Sequence, residues 1–120
     1  MSDTAPQTIA ELQQMVVKFR DARDWKQFHN AKDMALSLVL EAAEVLEHFQ
    51  WKTEKDLEAH VALKRGDIGE ELSDVLYWVL LMAEEMQIDL PEVFVEKMKQ
   101  NDAKYPVEKA KGRNTKYTDL

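Results

Sequence analysis

The residues of this chain best suited to chemistry are two acid pairs, Glu41-Ala42-Ala43-Glu44 and Glu71-Leu72-Ser73-Asp74. Each is an acid-x-x-acid step, and on a helix residues three apart share a face with Cβ atoms roughly 5–6 Å apart. Two such helices side by side gather four carboxylates in one place. Both pairs stand in the most apolar stretches, residues 36–51 and 68–86, where an ionised carboxylate needs a partner or a proton. A divalent cation meets that need, and hard carboxylate oxygens select magnesium, manganese or calcium. The rival is a carboxylate-bridged di-iron bundle, built on Glu-x-x-His. The residues three before His29, His48 and His60 are Lys26, Val45 and Leu57, so that signature is absent and magnesium leads, with manganese as its substitute. Spacing alone leaves Glu70, at i, i+4 to Asp74, as an alternative to Glu71.

A magnesium cluster in a helical cavity suits phosphate chemistry, because the ion neutralises phosphate charge and activates water. Lys97, Asn101 and Lys104 share one helix face and either complete such a site or form a solvated stripe. The chain has 3 glycines and no glycine-rich loop, which excludes a backbone cradle for phosphate. Trp25 and Phe28 sit in the short segment 24–30, where they either cap the end of a bundle or stack on a flat ligand such as a nucleobase. His48 lines up with Glu41 and Glu44 at i, i+3 and i+7, and is read as a neighbour of the site rather than a ligand.

The elements that must position these groups are helical. Thr8-Ile9-Ala10-Glu11 has the form of a capping box, and Ile9, Leu12, Val16 and Phe19 recur at helical spacing, which predicts a helix over about 9–22. Asn30 caps a second helix over about 31–50, apolar nearly all round and therefore expected to be central. Thr53 opens a short charged connector to about Lys64. Arg65-Gly66-Asp67 then reads as a turn before a third helix ending near Met86, along which Asp67, Glu71, Asp74 and Trp78 share a stripe. Asp89-Leu90-Pro91-Glu92 starts a fourth, expected to bury Val93, Phe94 and Met98 and to stop at Pro106. No stretch reads as a strand.

At 120 residues the chain is expected to be one all-α domain, four-helix-bundle-like, with a flexible start over 1–7 and a basic tail over 106–120. It has no cysteine, which excludes disulfides and thiolate metal sites. A net charge of −7 argues against a nucleic-acid or anionic-membrane surface. Residues 1–7 lack the features of a signal peptide, and the longest apolar run, Val75 to Ala83, falls well short of the ~20 residues that span a bilayer. A cytoplasmic location is expected.

The chain resembles the all-α NTP pyrophosphohydrolases of the MazG type, nearest the branch that contains dCTP pyrophosphatase. The likeness is carried by Phe19-Arg20-Asp21-Ala22-Arg23-Asp24-Trp25 with Phe28-His29, by Glu41-Ala42-Ala43-Glu44, Phe49-Gln50-Trp51 and Glu70-Glu71-Leu72-Ser73-Asp74-Val75, and by Lys97-Met98 with Asn101 and Tyr105-Pro106. The resemblance implies hydrolysis between the α and β phosphates of a nucleoside triphosphate, with magnesium on Glu41, Glu44, Glu71 and Asp74 and one of Glu41 and Glu44 directing the water. It implies that Trp25 and Trp51 enclose the base, that His29 and Trp78 belong to the substrate site, and that Lys97, Asn101 and Tyr105 approach the nucleotide. It also implies a homotetramer of paired dimers. Leu40 stands where many relatives carry a further Glu, and Trp78 where that branch usually carries Tyr. The readings left for comparison are a dUTP-hydrolysing relative and a non-catalytic helical oligomerisation module.

Overall fold

The computed structural model describes residues 5–120, and every element in it is helical. The expectation of a flexible start therefore lies partly outside the described residues. The chain gathers into two compact units, one ending at Gln87 and the other spanning Ile88–Leu120.

The first unit holds α1 (Ile9–Ala22), α2 (Ala31–Glu47) and α3 (Glu54–Glu85), with a single 3-10 turn, Lys26–Phe28, between α1 and α2. Each helix starts where a side chain replaces the missing intrahelical acceptor. Thr8 accepts from the Glu11 amide at 3.1 Å while Glu11 accepts from the Thr8 amide at 3.2 Å, the reciprocal box expected from the sequence. Asn30 accepts from the Asp33 amide at 2.9 Å, and Thr53 from the Asp56 amide at 3.3 Å.

The predicted turn at Arg65-Gly66-Asp67 is not there. The charged segment and the third predicted helix are one helix, α3, bent at Lys64, whose φ of −110° and ψ of 22° leave the helical region. Glycine lowers helix stability by only about 1 kcal/mol relative to alanine, too little to end a helix that tertiary packing continues.

α3 is also the centre of the unit, a place the sequence reading gave to α2. Both α1 and α2 pack against it. Its later half supplies Leu80, Leu81 and Ala83 to the core, and α2 supplies Met34. The remaining apolar surface of α2 stays open, with Leu36, Val39, Leu40 and Leu46 exposed. α2 and α3 run antiparallel, since Glu41 and Glu44 meet Glu71 and Asp74 while His48 meets His60.

The second unit holds α4 (Leu90–Lys104) and the short α5 (Val107–Ala110). Asp89 caps α4 by accepting from the Glu92 amide at 3.2 Å, and Pro91 sits in the first turn, where no hydrogen bond is lost. Val93, Phe94 and Met98 are exposed, against the expectation that they would be buried. The basic tail is structured: Tyr117 lies edge-on to Tyr105 at 5.9 Å, with the Lys104 ammonium 4.9 Å from its ring centroid.

Candidate metal and nucleotide site

The two acid pairs meet between α2 and α3. One carboxylate oxygen from each of Glu41, Glu44, Glu71 and Asp74 lies within 4.8 Å of the other three. Glu70 is exposed and stands outside this group, so the choice that spacing left open falls to Glu71. The Ser73 hydroxyl points away, donating to the Gly69 carbonyl at 2.8 Å.

Crowded carboxylates bind protons more tightly. Glu71 is pushed up to about 7, first because the Glu44 carboxyl is near enough to share a proton with it, then by burial and by the charges of Glu44, Asp74 and Glu41. Glu41 is raised too, by burial first and then by Glu44 and Asp74. One oxygen of Glu41 and one of Glu71 are buried with no hydrogen-bond partner among the described residues. Buried polar atoms are almost always paired. Two such oxygens on opposite helices, within a four-carboxylate cluster, fit a hard divalent cation.

Beside the acids lies a cavity of about 300 Å³ lined by Phe19, Trp25, His29, Asp74, Tyr77 and Trp78. Asp74 belongs to both the cavity and the acid cluster. The aromatic walls meet edge to face, Phe19 on Trp25 at 5.7 Å, Tyr77 on Trp78 at 5.1 Å and His29 on Trp78 at 5.7 Å, an arrangement that aromatic quadrupoles favour. The turn after α1 builds this wall. Asp24 takes a left-handed φ of 55°, a conformation Asp tolerates better than most residues, and its carboxylate accepts from the Gln27 amide at 2.9 Å. The Trp25 amide donates to the Arg20 carbonyl at 3.2 Å. His29 Nδ1 is buried without a hydrogen-bond partner among the described residues.

Of the residues singled out from sequence, the fold thus brings Trp25, His29 and Trp78 together beside the four acids. Phe28 is exposed and lies outside that wall. Trp51 also stands apart, at the α2–α3 corner and 92 % exposed. Lys97, Asn101 and Tyr105 lie on and just after α4 in the second unit, where Asn101 points its amide at Met98 and Tyr105 packs on Tyr117.

Phe19 and Tyr77 were not anticipated as cavity residues. Tyr77 is three residues after Asp74, the same spacing that singled out the acids, so the signal was present. Phe19 reads in sequence as an ordinary stripe residue, yet the Arg23 guanidinium stacks 3.7 Å from its ring centroid. Arg20 was also missed as an anchor. It is almost fully buried, with its guanidinium on Asp21 at 2.9 Å and on Glu85 at 3.3 Å.

A model of the MazG-like family matches residues 36–120, the part of the chain that carries all four acids. The chain belongs to that family. Among curated proteins, dCTP pyrophosphatase 1 of Mus musculus is 39% identical over 115 residues, covering 94% of this chain and 68% of the relative. The Homo sapiens protein of the same name is 36% identical with the same coverage. Among solved structures, a pyrophosphatase from Archaeoglobus fulgidus superposes with a TM-score of 0.78 at 32% identity, covering 88% of this chain and 99% of that one.

Proposed function

We propose that this protein is a magnesium-dependent nucleoside triphosphate pyrophosphohydrolase acting on dCTP or modified pyrimidine deoxynucleotides. The observation that carries the reading is the four-carboxylate cluster with its two partnerless buried oxygens, set against an aromatic cavity that shares Asp74. The relatives' names, dCTP pyrophosphatase and pyrophosphatase, supply the reaction class and the leading substrate.

Glu41, Glu44, Glu71 and Asp74 would hold the ion. Bound there, magnesium would neutralise phosphate charge and lower the pKa of a water. Glu41 or Glu44 would orient the attacking water and take its proton. The water oxygen bonds to one phosphorus of the α–β anhydride, and the bridging oxygen leaves with the other phosphate, giving monophosphate and pyrophosphate. Trp25 and Trp78 flank the base in the apolar cavity, and His29 offers Nδ1 to its polar edge. Trp51 is assigned to the base, and Lys97, Asn101 and Tyr105 to the phosphates and sugar, by resemblance. The exposed leucines and valine on α2 support assembly of copies, for which we propose a homotetramer. No helix among the described residues is long and apolar enough to cross a membrane, in keeping with the cytoplasmic, nucleotide-pool role we propose.

The test is a panel of dNTPs with magnesium, measuring pyrophosphate and monophosphate together. Equimolar release of both, greatest with dCTP or its 5-substituted analogues, is the expected result. Preference for dUTP moves the substrate to the neighbouring branch. Release of orthophosphate alone refutes α–β cleavage, and no release with any dNTP refutes the enzymatic reading.

A further inference from the structure

At the corner where α2 gives way to α3, His48 Nδ1 and His60 Nε2 stand 3.1 Å apart, within hydrogen-bond distance. The rings are 5.3 Å apart between centroids, and Phe49 lies edge-on to His60 at 6.2 Å. Both histidines are half-buried. His48 caps the end of α2, and His60 lies on the part of α3 before the bend at Lys64. Their hydrogen bond therefore closes a short loop, and that loop carries Trp51.

Trp51 is in an unusual state. Its φ of 72° is left-handed, a conformation that costs a bulky residue and persists only when the surroundings enforce it. Its ring is almost fully exposed, so its own packing does not enforce the backbone. The constraints are on either side. Phe49 and Gln50 both donate to the Leu46 carbonyl at 2.9 Å, Thr53 caps α3, and the His48–His60 pair bridges between them.

Two imidazoles at this distance suit a metal as well as a hydrogen bond, and the neighbouring charges decide between them. The charged and titratable groups acting on His60 are Lys52 from the loop, His48 from α2 and Lys64 from α3, while Glu44 stands one turn before His48 on α2. The two lysines disfavour a cation at His60. They favour a pair in which one ring donates and the other accepts, an arrangement possible with zero or one added proton and impossible with two.

We propose that the His48–His60 hydrogen bond is a latch that positions the Trp51 loop for the nucleotide and opens when both rings are protonated. The proposal rests on the assignment of Trp51 to the base. Burial first, and then Lys52, His48 and Lys64, hold His60 below the ordinary histidine value. The neutral ring is thus kept at neutral pH, and the latch is lost as pH falls below the usual histidine range.

The experiment uses the full chain with and without dCTP, as wild type, His60→Ala and His60→Gln. Glutamine can hydrogen-bond to His48 but does not titrate. Amide-exchange protection over residues 49–52 is measured without nucleotide from pH 8 to pH 5.5. KM and kcat for dCTP with magnesium are measured in parallel. A net hydrogen bond is worth about tenfold in an opening equilibrium, so wild-type protection falls about tenfold on acidification. His60→Ala has the low value at every pH, and His60→Gln keeps the high value throughout. KM follows protection while kcat at saturation does not depend on residue 60. Equal protection in wild type and His60→Ala overturns the latch. Loss of protection with KM unchanged overturns the assignment of Trp51 to the base, and with it the link to the nucleotide, while leaving the metal-site reading intact.

Discussion

Replacing Arg20 tests whether the aromatic wall depends on the anchor beneath it. Its guanidinium is 4 % exposed, and it joins Asp21 on its own helix and Glu85 on α3. Removing one partner of a fully buried ion pair costs about 3–5 kcal/mol. Here the abandoned acids are 53 % and 27 % exposed and can recover water, so Arg20→Ala should cost about 2 kcal/mol, near the value for a hydrogen bond to a charged group. For a chain of 120 residues that corresponds to a fall of about 8 °C in Tm. Arg20→Met keeps the packed stem and should lose about half as much. Loosening this end of α1 also frees the turn that hangs Trp25 from the Arg20 carbonyl, so KM for dCTP should rise more than kcat falls. Urea unfolding with steady-state kinetics on both variants checks this. Stability within about 0.5 kcal/mol of wild type for Arg20→Ala would show that the ion pairs contribute nothing net, and the account of the wall would fail.

Glu71→Gln should abolish magnesium-dependent pyrophosphate release and the rise in Tm expected of the wild type on adding magnesium, with helicity by circular dichroism unchanged; normal turnover would remove Glu71 from the proposed metal site. Without metal, Glu71 has a folded pKa of about 7 against an ordinary 4.5, so the stability it contributes is present below 4.5 and lost as pH rises through 7. Magnesium requires the carboxylates deprotonated, so calorimetry near pH 6.5 in buffers of different ionisation enthalpy should show proton release on binding, and buffer-independent heats would contradict the coupled cluster. Trp78→Ala should raise KM for dCTP about tenfold or more, given that stacking on a base is worth about 1–3 kcal/mol. An unchanged KM would take Trp78 out of the base pocket. Leu36→Glu should shift the chain to a smaller species in analytical ultracentrifugation and leave magnesium binding measurable; an unchanged sedimentation coefficient would clear that face of any role in assembly.

Helix starts were legible because single side chains set them. The Thr8 and Glu11 box opens α1 at Ile9, and Asp89, Pro91 and Glu92 open α4 at Leu90. The place of the break in α3 was legible, since the charged segment was expected to end near Lys64, but its form was not: a bend within one helix stands where Arg65-Gly66-Asp67 read as a turn. The acids were legible because i, i+3 spacing on two apolar helices leaves few other arrangements, although spacing alone did not separate Glu70 from Glu71. The cavity was only half legible. Trp25 carried a signal by residue type and Trp78 by its place on the acid stripe, and His29 entered through the resemblance, whereas Phe19 lines the cavity, and Arg20 ties α1 to α3, only through the way α1 sits on α3. The His48–His60 pair had no signal at all, since the α2–α3 turn creates their proximity.

The arrangement on α2 explains how so small a unit tolerates four clustered carboxylates. At 100° per residue the helix divides into three arcs. Met34, Leu38 and Val45 lie on the first, where Met34 is fully buried. Glu41, Glu44 and His48 lie on the second, facing α3 at the acid cluster and the histidine pair. Leu36, Val39, Leu40 and Leu46 lie on the third, and all four are more than half exposed. A helix that gives one arc to mutually repelling acids has less apolar area to spend on its own core. The open third arc is where that deficit can be recovered against a second copy, at about 25 cal/mol for each Å² of apolar surface removed from water. Leu40 then has a reason to be apolar: it stands at the border of the second and third arcs, one turn before Glu44. An acid there would add a fifth carboxylate to the cluster and take a leucine from the open arc, so one position would set both the charge of the proposed metal site and the apolar area left for a second copy.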